Sequence, residues 1–97
     1  MFRVLNLRLG TSLPAYVYVG RPSIWGNPTK VDEILERNPM MSLVEAHQEA
    51  VDRYREYLKY HPVLVGEIKR ELRGKNLACW CAPLPCHADV LLEIANE

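Results

Sequence analysis

Three cysteines of this chain fall within eight consecutive residues, Cys79-Trp80-Cys81-Ala82-Pro83-Leu84-Pro85-Cys86, and His87 follows at once. Cysteine used only for packing has no reason to gather beside an imidazole. Three chemistries fit these residue types. A thiolate nucleophile or redox centre would use Cys86 or Cys79, with His87 as base or orienting group. A metal centre would use Cys79, Cys81, Cys86 and His87, a Cys₃His set known for structural zinc. Its spacing, C-x-C-x₄-C-H, is not the common C-x₂-C knuckle, and adjacent helical residues point about 100° apart. The third chemistry is none: buried cysteine behaves as a small hydrophobe, and Cys79 or Cys81 alone fits that description. Three is also too few, and an odd number, for a mini-protein built on disulfides.

A second stretch carries ligand-binding residue types: Gly20-Arg21-Pro22-Ser23-Ile24-Trp25-Gly26-Asn27-Pro28. The Arg21 guanidinium suits bidentate recognition of phosphate or carboxylate. Trp25 offers a flat stacking surface, and Gly26 lets a ligand or another backbone approach closely. Asn27 can bond a base edge or cap the segment after it, and Ser23 completes the expected ligand set. Together they suit a nucleotide or nucleic-acid base better than an apolar ligand. The structural alternatives are Trp25 as a core plug, Asn27-Pro28 as a turn and Arg21 as a solvated side chain.

The elements that must position these residues are readable from patterning. Residues 2–9 alternate, with Leu5, Leu7 and Leu9 as the expected buried face of a first strand. The aromatic and β-branched run 15–19 is a second strand. Val31 to Arg37 forms a short helix closed by Asn38-Pro39. Ser42 and Glu45 make a capping box for a helix to about Tyr60, with Leu43, His47, Ala50, Val51, Tyr54 and Leu58 as its inner stripe. Pro62 suits a helix first turn, and Leu64, Val65, Ile68 and Leu72 continue at helical spacing to a stop at Gly74. Residues 76–81 read as a third, buried strand whose alternation sets Cys79 and Cys81 on one face, roughly 7 Å apart. A last helix begins near Cys86, with Leu91 and Ile94 facing inward. The expected fold is a single α/β domain over residues 1–97, in which about four helices cover a short sheet of about three strands, in two layers or a three-layer-like stack. The cysteine segment then falls at the carboxyl end of a strand, where open α/β sheets bind ligands. Cys86 falls at a helix N-terminus, where a thiol is more readily ionised. His47 reads as a helix-face residue and His61 as a residue preceding a helix.

With 97 residues and twelve basic against twelve acidic side chains, the chain is formally neutral. Neutrality argues against gripping duplex DNA through a broad positive field. Arg70, Arg73 and Lys75 form a small basic patch around Gly74, which weakly supports a phosphate-bearing partner. No apolar run reaches the length of a membrane span, and Met1-Phe2-Arg3 leads into alternation without a signal-peptide core. The expectation is a cytoplasmic chain with no membrane partner. Neither a P-loop nor a dinucleotide fingerprint is present.

Two long motifs, Val17-Tyr18-Val19-Gly20-Arg21-Pro22-Ser23-Ile24-Trp25-Gly26-Asn27-Pro28 and Leu72-Arg73-Gly74-Lys75-Asn76-Leu77-Ala78-Cys79-Trp80-Cys81-Ala82-Pro83, together with Cys86-His87-Ala88-Asp89-Val90-Leu91-Leu92, resemble the domain-of-unknown-function family 4326 of bacteria and their viruses. The resemblance implies that both stretches line one site, carried by Arg21, Trp25, Gly26, Asn27, Cys79, Cys81, Cys86, His87 and Asp89. It implies no reaction and no cofactor.

The expectation is therefore a pocket for a nucleotide-like or nucleic-acid ligand, with catalysis an open question. In a catalytic version Cys86 is the thiol, with Cys79 beside it, and His87 is the acid–base group. Asp89 would orient His87, and Arg21 would clamp phosphate. The alternative is a non-catalytic module for nucleic acid or protein, with or without structural zinc, such as a phage-encoded accessory or inhibitor protein.

Overall fold

Asn76-Leu77-Ala78-Cys79 carries no charge, and a run of this kind suits a strand flanked on both sides and buried on both faces. In the computed structural model, which describes residues 3–7, 15–80 and 84–97, that run is the central strand of the sheet. The elements follow in the order β1 (Val4–Asn6), β2 (Tyr16–Tyr18), α1 (Val31–Arg37), α2 (Leu43–Lys59), α3 (Pro62–Glu71), β3 (Asn76–Cys79) and α4 (His87–Ala95). The sheet order is β1-β3-β2, and both pairings are parallel. Val4 and Val17 both pair with Leu77, so the three strands end together near Asn6, Tyr18 and Cys79. The ladder runs one bond further on each side, Leu7 N–H donating to the Cys79 carbonyl and Val19 N–H to the Ala78 carbonyl, both at 3.0 Å.

The fold is a compact small α/β domain, as the alternation and helical periods imply. Its helix starts follow the residues that announce them. Ser42 caps α2: its Oγ accepts from Glu45 N–H at 3.1 Å, while the Glu45 carboxylate accepts from Ser42 N–H at 2.9 Å. Pro62 occupies the first turn of α3, and Gly74, at φ 74°, turns the chain from α3 into β3. Helix α4 packs on β3 and β1, α2 and α3 pack against α4, and α1 packs on α2. Leu77 and Cys79 of β3 join Tyr54 and Leu58 of α2, Ile68 of α3, and Val90 and Leu91 of α4 in the main core.

Three expectations need correction. Leu43 is not part of the inner stripe of α2; it is 53% exposed, whereas Ala46 is fully buried. The first turns of α2 face α1, where Ala46 and Ala50 meet Ile34, and small side chains let the two helices approach. Strand β3 ends at Cys79, with Trp80 in a bend, so the strand expected over residues 76–81 stops short. Strand β1 is shorter than expected: Leu5 is buried and Leu7 half-buried in a turn, while Leu9 and Cys81 lie outside the described residues.

Tyr54 lies wholly inside and donates its phenol to the Trp25 carbonyl at 2.9 Å. Burial pushes that phenol's pKa above its ordinary value, so it remains a donor. Tyr54→Phe strips the buried carbonyl of this donor and is expected to cost about 1–3 kcal/mol in urea unfolding. Glu49→Ala, which breaks a half-exposed helical ion pair with Arg53, should cost less than about 0.5 kcal/mol in the same measurement.

Candidate functional site

The start of α4 assembles the sulfur chemistry. Cys86 is the N-cap and Asp89 the third helical residue, and the two form a capping box. The Asp89 carboxylate accepts from Cys86 N–H at 3.1 Å. In the core, Cys86 Sγ lies 3.1 Å from Cys79 Sγ at the end of β3, and 3.5 Å from His87 Nδ1. The other imidazole nitrogen, His87 Nε2, lies 2.7 Å from the Val19 carbonyl. A carbonyl only accepts, so Nε2 carries the proton and neutral His87 turns the Nδ1 lone pair toward Cys86. The edge of the ring meets Tyr54, with centroids 5.2 Å apart.

Burial is the largest influence on His87 and lowers its pKa below the ordinary histidine value, with Arg21 acting in the same direction. The Val19 carbonyl, Cys79 and Asp89 favour the protonated form and only partly offset the loss of water.

The loop after β2 forms the opposite wall. Two successive turns, Ser23 N–H to Gly20 at 2.9 Å and Gly26 N–H to Ser23 at 3.0 Å, fold it onto itself. Arg21 Nη1 donates to the Asn27 carbonyl at 3.1 Å. Asn27, itself buried, donates from Nδ2 to the Ala50 carbonyl of α2 and accepts from Thr29 N–H, both at 2.9 Å. Tyr18 curls over the loop, its hydroxyl donating to the Arg21 carbonyl at 2.8 Å and accepting from Trp80 Nε1 at 3.2 Å.

Between these walls lies a cleft of about 490 Å³, a size suited to a small molecule. It sits at the carboxyl ends of β2 and β3. Arg21, Asn27, Cys79, Cys86 and His87 line it together, so the two sequence stretches share one cavity. Tyr18, Lys30, Asp32, His47 and Trp80 line it as well.

Several expected roles fall differently. Trp25 is not a stacking surface: it is 7% exposed, sits in the main core, and does not line the cleft. Trp80, 47% exposed, is the indole that borders the cavity. Gly26 serves the loop itself, since a Cβ there would stand 2.9 Å from Arg21 Cγ and 3.2 Å from the Ser23 carbonyl. Ser23 lies away from the cleft, its hydroxyl buried without a partner among the described residues. Asn27 spends its amide on capping and on α2. Asp89 holds the N-cap backbone; its carboxylate bonds Cys86 N–H, not the imidazole. Arg73 of the basic patch donates to the Ala95 carbonyl at the end of α4. His47, read from sequence as a plain helix-face residue, donates from Nδ1 toward the Pro85 carbonyl at 3.2 Å and lines the cavity. The zinc set requires Cys81, outside the described residues; among those described, no group of three or more His, Cys, Asp or Glu is placed to hold a metal ion. Two thiolates on one tetrahedral zinc would stand about 3.8 Å apart, wider than the 3.1 Å between Cys79 and Cys86.

A lowered folded-state pKa means that the unfolded chain takes up the proton first. The contribution of His87 is thus complete above the ordinary value of 6.5 and is lost as pH falls from there toward the folded value. Chemical unfolding of the wild type and His87→Gln across this range should show the extra loss on acidification only in the wild type. Equal slopes would contradict the buried neutral imidazole.

No helix among the described residues is long and apolar enough to cross a membrane. No curated protein and no solved structure matches the chain. A family match does span residues 7–97, covering both walls of the cleft, and the chain belongs to the family described as domain of unknown function 4326.

Proposed function

We propose that the cleft binds a nucleotide-like small molecule. The observation that carries this reading is the convergence on one cavity of two cationic side chains, an exposed indole and a thiol–imidazole pair. Among the described residues Arg21 spends one N–H on Asn27, and the rest of its fork can meet phosphate, with Lys30 adding a second positive charge. Trp80 supplies the face on which a base stacks, in place of Trp25. Asp32 is an acceptor for sugar hydroxyls at the rim. With a neutral chain, such a ligand is held by local contacts, not by a general field.

In the catalytic form of this reading, Cys86 is the nucleophile and His87 Nδ1 takes its proton, while Asp89 positions the thiol by fixing the helix start. A non-catalytic zinc-held binding module is favoured by one observation: a histidine that gives Nε2–H to a carbonyl and turns Nδ1 toward a sulfur, itself in contact with a second sulfur, resembles a metal ligand with its outer partner in place. Metal analysis of protein purified without added zinc separates the two. Stoichiometric zinc, released when the thiols are alkylated, would replace the nucleophile reading.

Calorimetric titration with nucleoside monophosphates tests the binding itself. Arg21→Ala should weaken binding at least tenfold, about 1.4 kcal/mol, and Trp80→Ala should weaken the nucleotide but not inorganic phosphate. Unchanged affinity in both variants would sink the proposal. Oligonucleotide binding far tighter than that of any monomer would shift it to a nucleic-acid end.

A further inference from the structure

We propose that Cys79 and Cys86 are a reversible dithiol–disulfide pair that is oxidised by small hydroperoxides entering through the cleft. The two sulfurs stand 3.1 Å apart, already inside ordinary sulfur contact, on the end of β3 and the N-cap of α4. Both residues are buried, at 2% and 3% exposure, yet both line the cavity, so an oxidant of a few atoms can reach them through it. The anchors on either side are firm: Cys79 passes its carbonyl to Leu7, and Cys86 is held by the Asp89 carboxylate. Bringing the sulfurs to bonding distance takes a movement of about 1 Å, within the reach of side-chain rotation.

The chemistry balances with the hydroperoxide as the sole oxidant. His87 Nδ1, 3.5 Å from Cys86 Sγ, accepts the thiol proton. The thiolate attacks the near peroxide oxygen; the S–O bond forms, the O–O bond breaks, and the departing oxygen leaves as water after taking that proton. Cys86 is now a sulfenic acid. Cys79 attacks its sulfur; the S–S bond forms, the S–O bond breaks, and hydroxide leaves as a second water with the proton of Cys79. Two thiols and one hydrogen peroxide give one disulfide and two waters. The inference concerns the sulfur pair alone and does not require that the ligand of the cleft be a nucleotide.

The test treats the full chain and Cys81→Ser with hydrogen peroxide, alkylates the remaining thiols, and cleaves after Trp80, which separates Cys79 from Cys86. The expected product is a peptide pair joined between Cys79 and Cys86, abolished by dithiothreitol, formed in both proteins and formed several-fold more slowly in His87→Gln. Fragment masses of the joined peptides name the sulfurs, so the wild type decides the matter even if a variant is unstable. Cys79 remaining alkylatable while Cys86 advances to sulfinic acid would overturn the proposal. So would a bond that joins Cys81 instead, or one that links two chains.

Discussion

The hydrogen bond from His87 Nε2 to the Val19 carbonyl is the constraint on which the rest of the site depends. Val19 is the residue after β2, and its own N–H is bonded to Ala78 of β3. One imidazole therefore ties the start of α4 to the ends of two parallel strands. It also decides chemistry: with Nε2 committed as donor, Nδ1 has only a lone pair to present to Cys86. Burial keeps the ring neutral, and Tyr54 meets it edge-on. Had the ring been exposed, both nitrogens would exchange partners with water, and the sulfur would have no fixed base.

A second set of buried polar bonds holds the opposite wall. Asn27 and Tyr54 each reach across from one segment to the backbone of another, the first to Ala50 and the second to Trp25. Such bonds count because the groups they satisfy have no water to turn to. By contrast the ion pairs Arg53–Glu49, Arg55–Glu93 and Lys59–Glu56 are all substantially exposed and screened. The loop that carries Arg21 is thus kept in shape by neutral amide and phenol contacts together with the bond from Arg21 itself to the Asn27 carbonyl.

What sequence made readable was whatever is decided locally. The Ser42–Glu45 box, Pro62 in a first turn and Cys86 at a helix start each depend on a few neighbouring residues, and each stands where patterning put it. The two tryptophans exchanged roles because their surroundings are not local. Trp25 lies in a loop, where stacking on a ligand is a fair guess, but the core formed by α2, β3 and α4 closes over it. Trp80 drew no role from its place in an expected strand, and the strand ends before it, at Cys79, which leaves the indole at the mouth of the cleft. The placement of β3 between β1 and β2 was only half legible: the uncharged run 76–79 suits a central strand, but the run 15–19 is uncharged as well, and the helices that pack on the sheet decide between them. Leu43 and Ala46 differ by one helical turn, and only the position of α1 decides between them.

The two capped helix starts of this chain give the most direct argument about Cys86. Helix α2 uses Ser42 with Glu45 reciprocally; at α4 the Asp89 carboxylate returns to the Cys86 N–H in the same way, while Asp89 N–H bonds the Cys86 carbonyl and a sulfur stands where α2 has a hydroxyl oxygen. Ser, Thr, Asp and Asn are the strong N-caps, worth about 1 kcal/mol over residues that lack a good acceptor, and sulfur is a weak acceptor. A chain that needed only a cap at α4 would gain stability from serine. It would also gain by avoiding a second thiol 3.1 Å away and a lone pair of an imidazole aimed at the first. The Asp89 carboxylate keeps the helix start intact by bonding the backbone N–H of Cys86, and so offsets the weaker cap without touching the sulfur. The result is a helix terminus built soundly around a poor capping atom, and that arrangement makes physical sense where the sulfur is wanted for its reactivity.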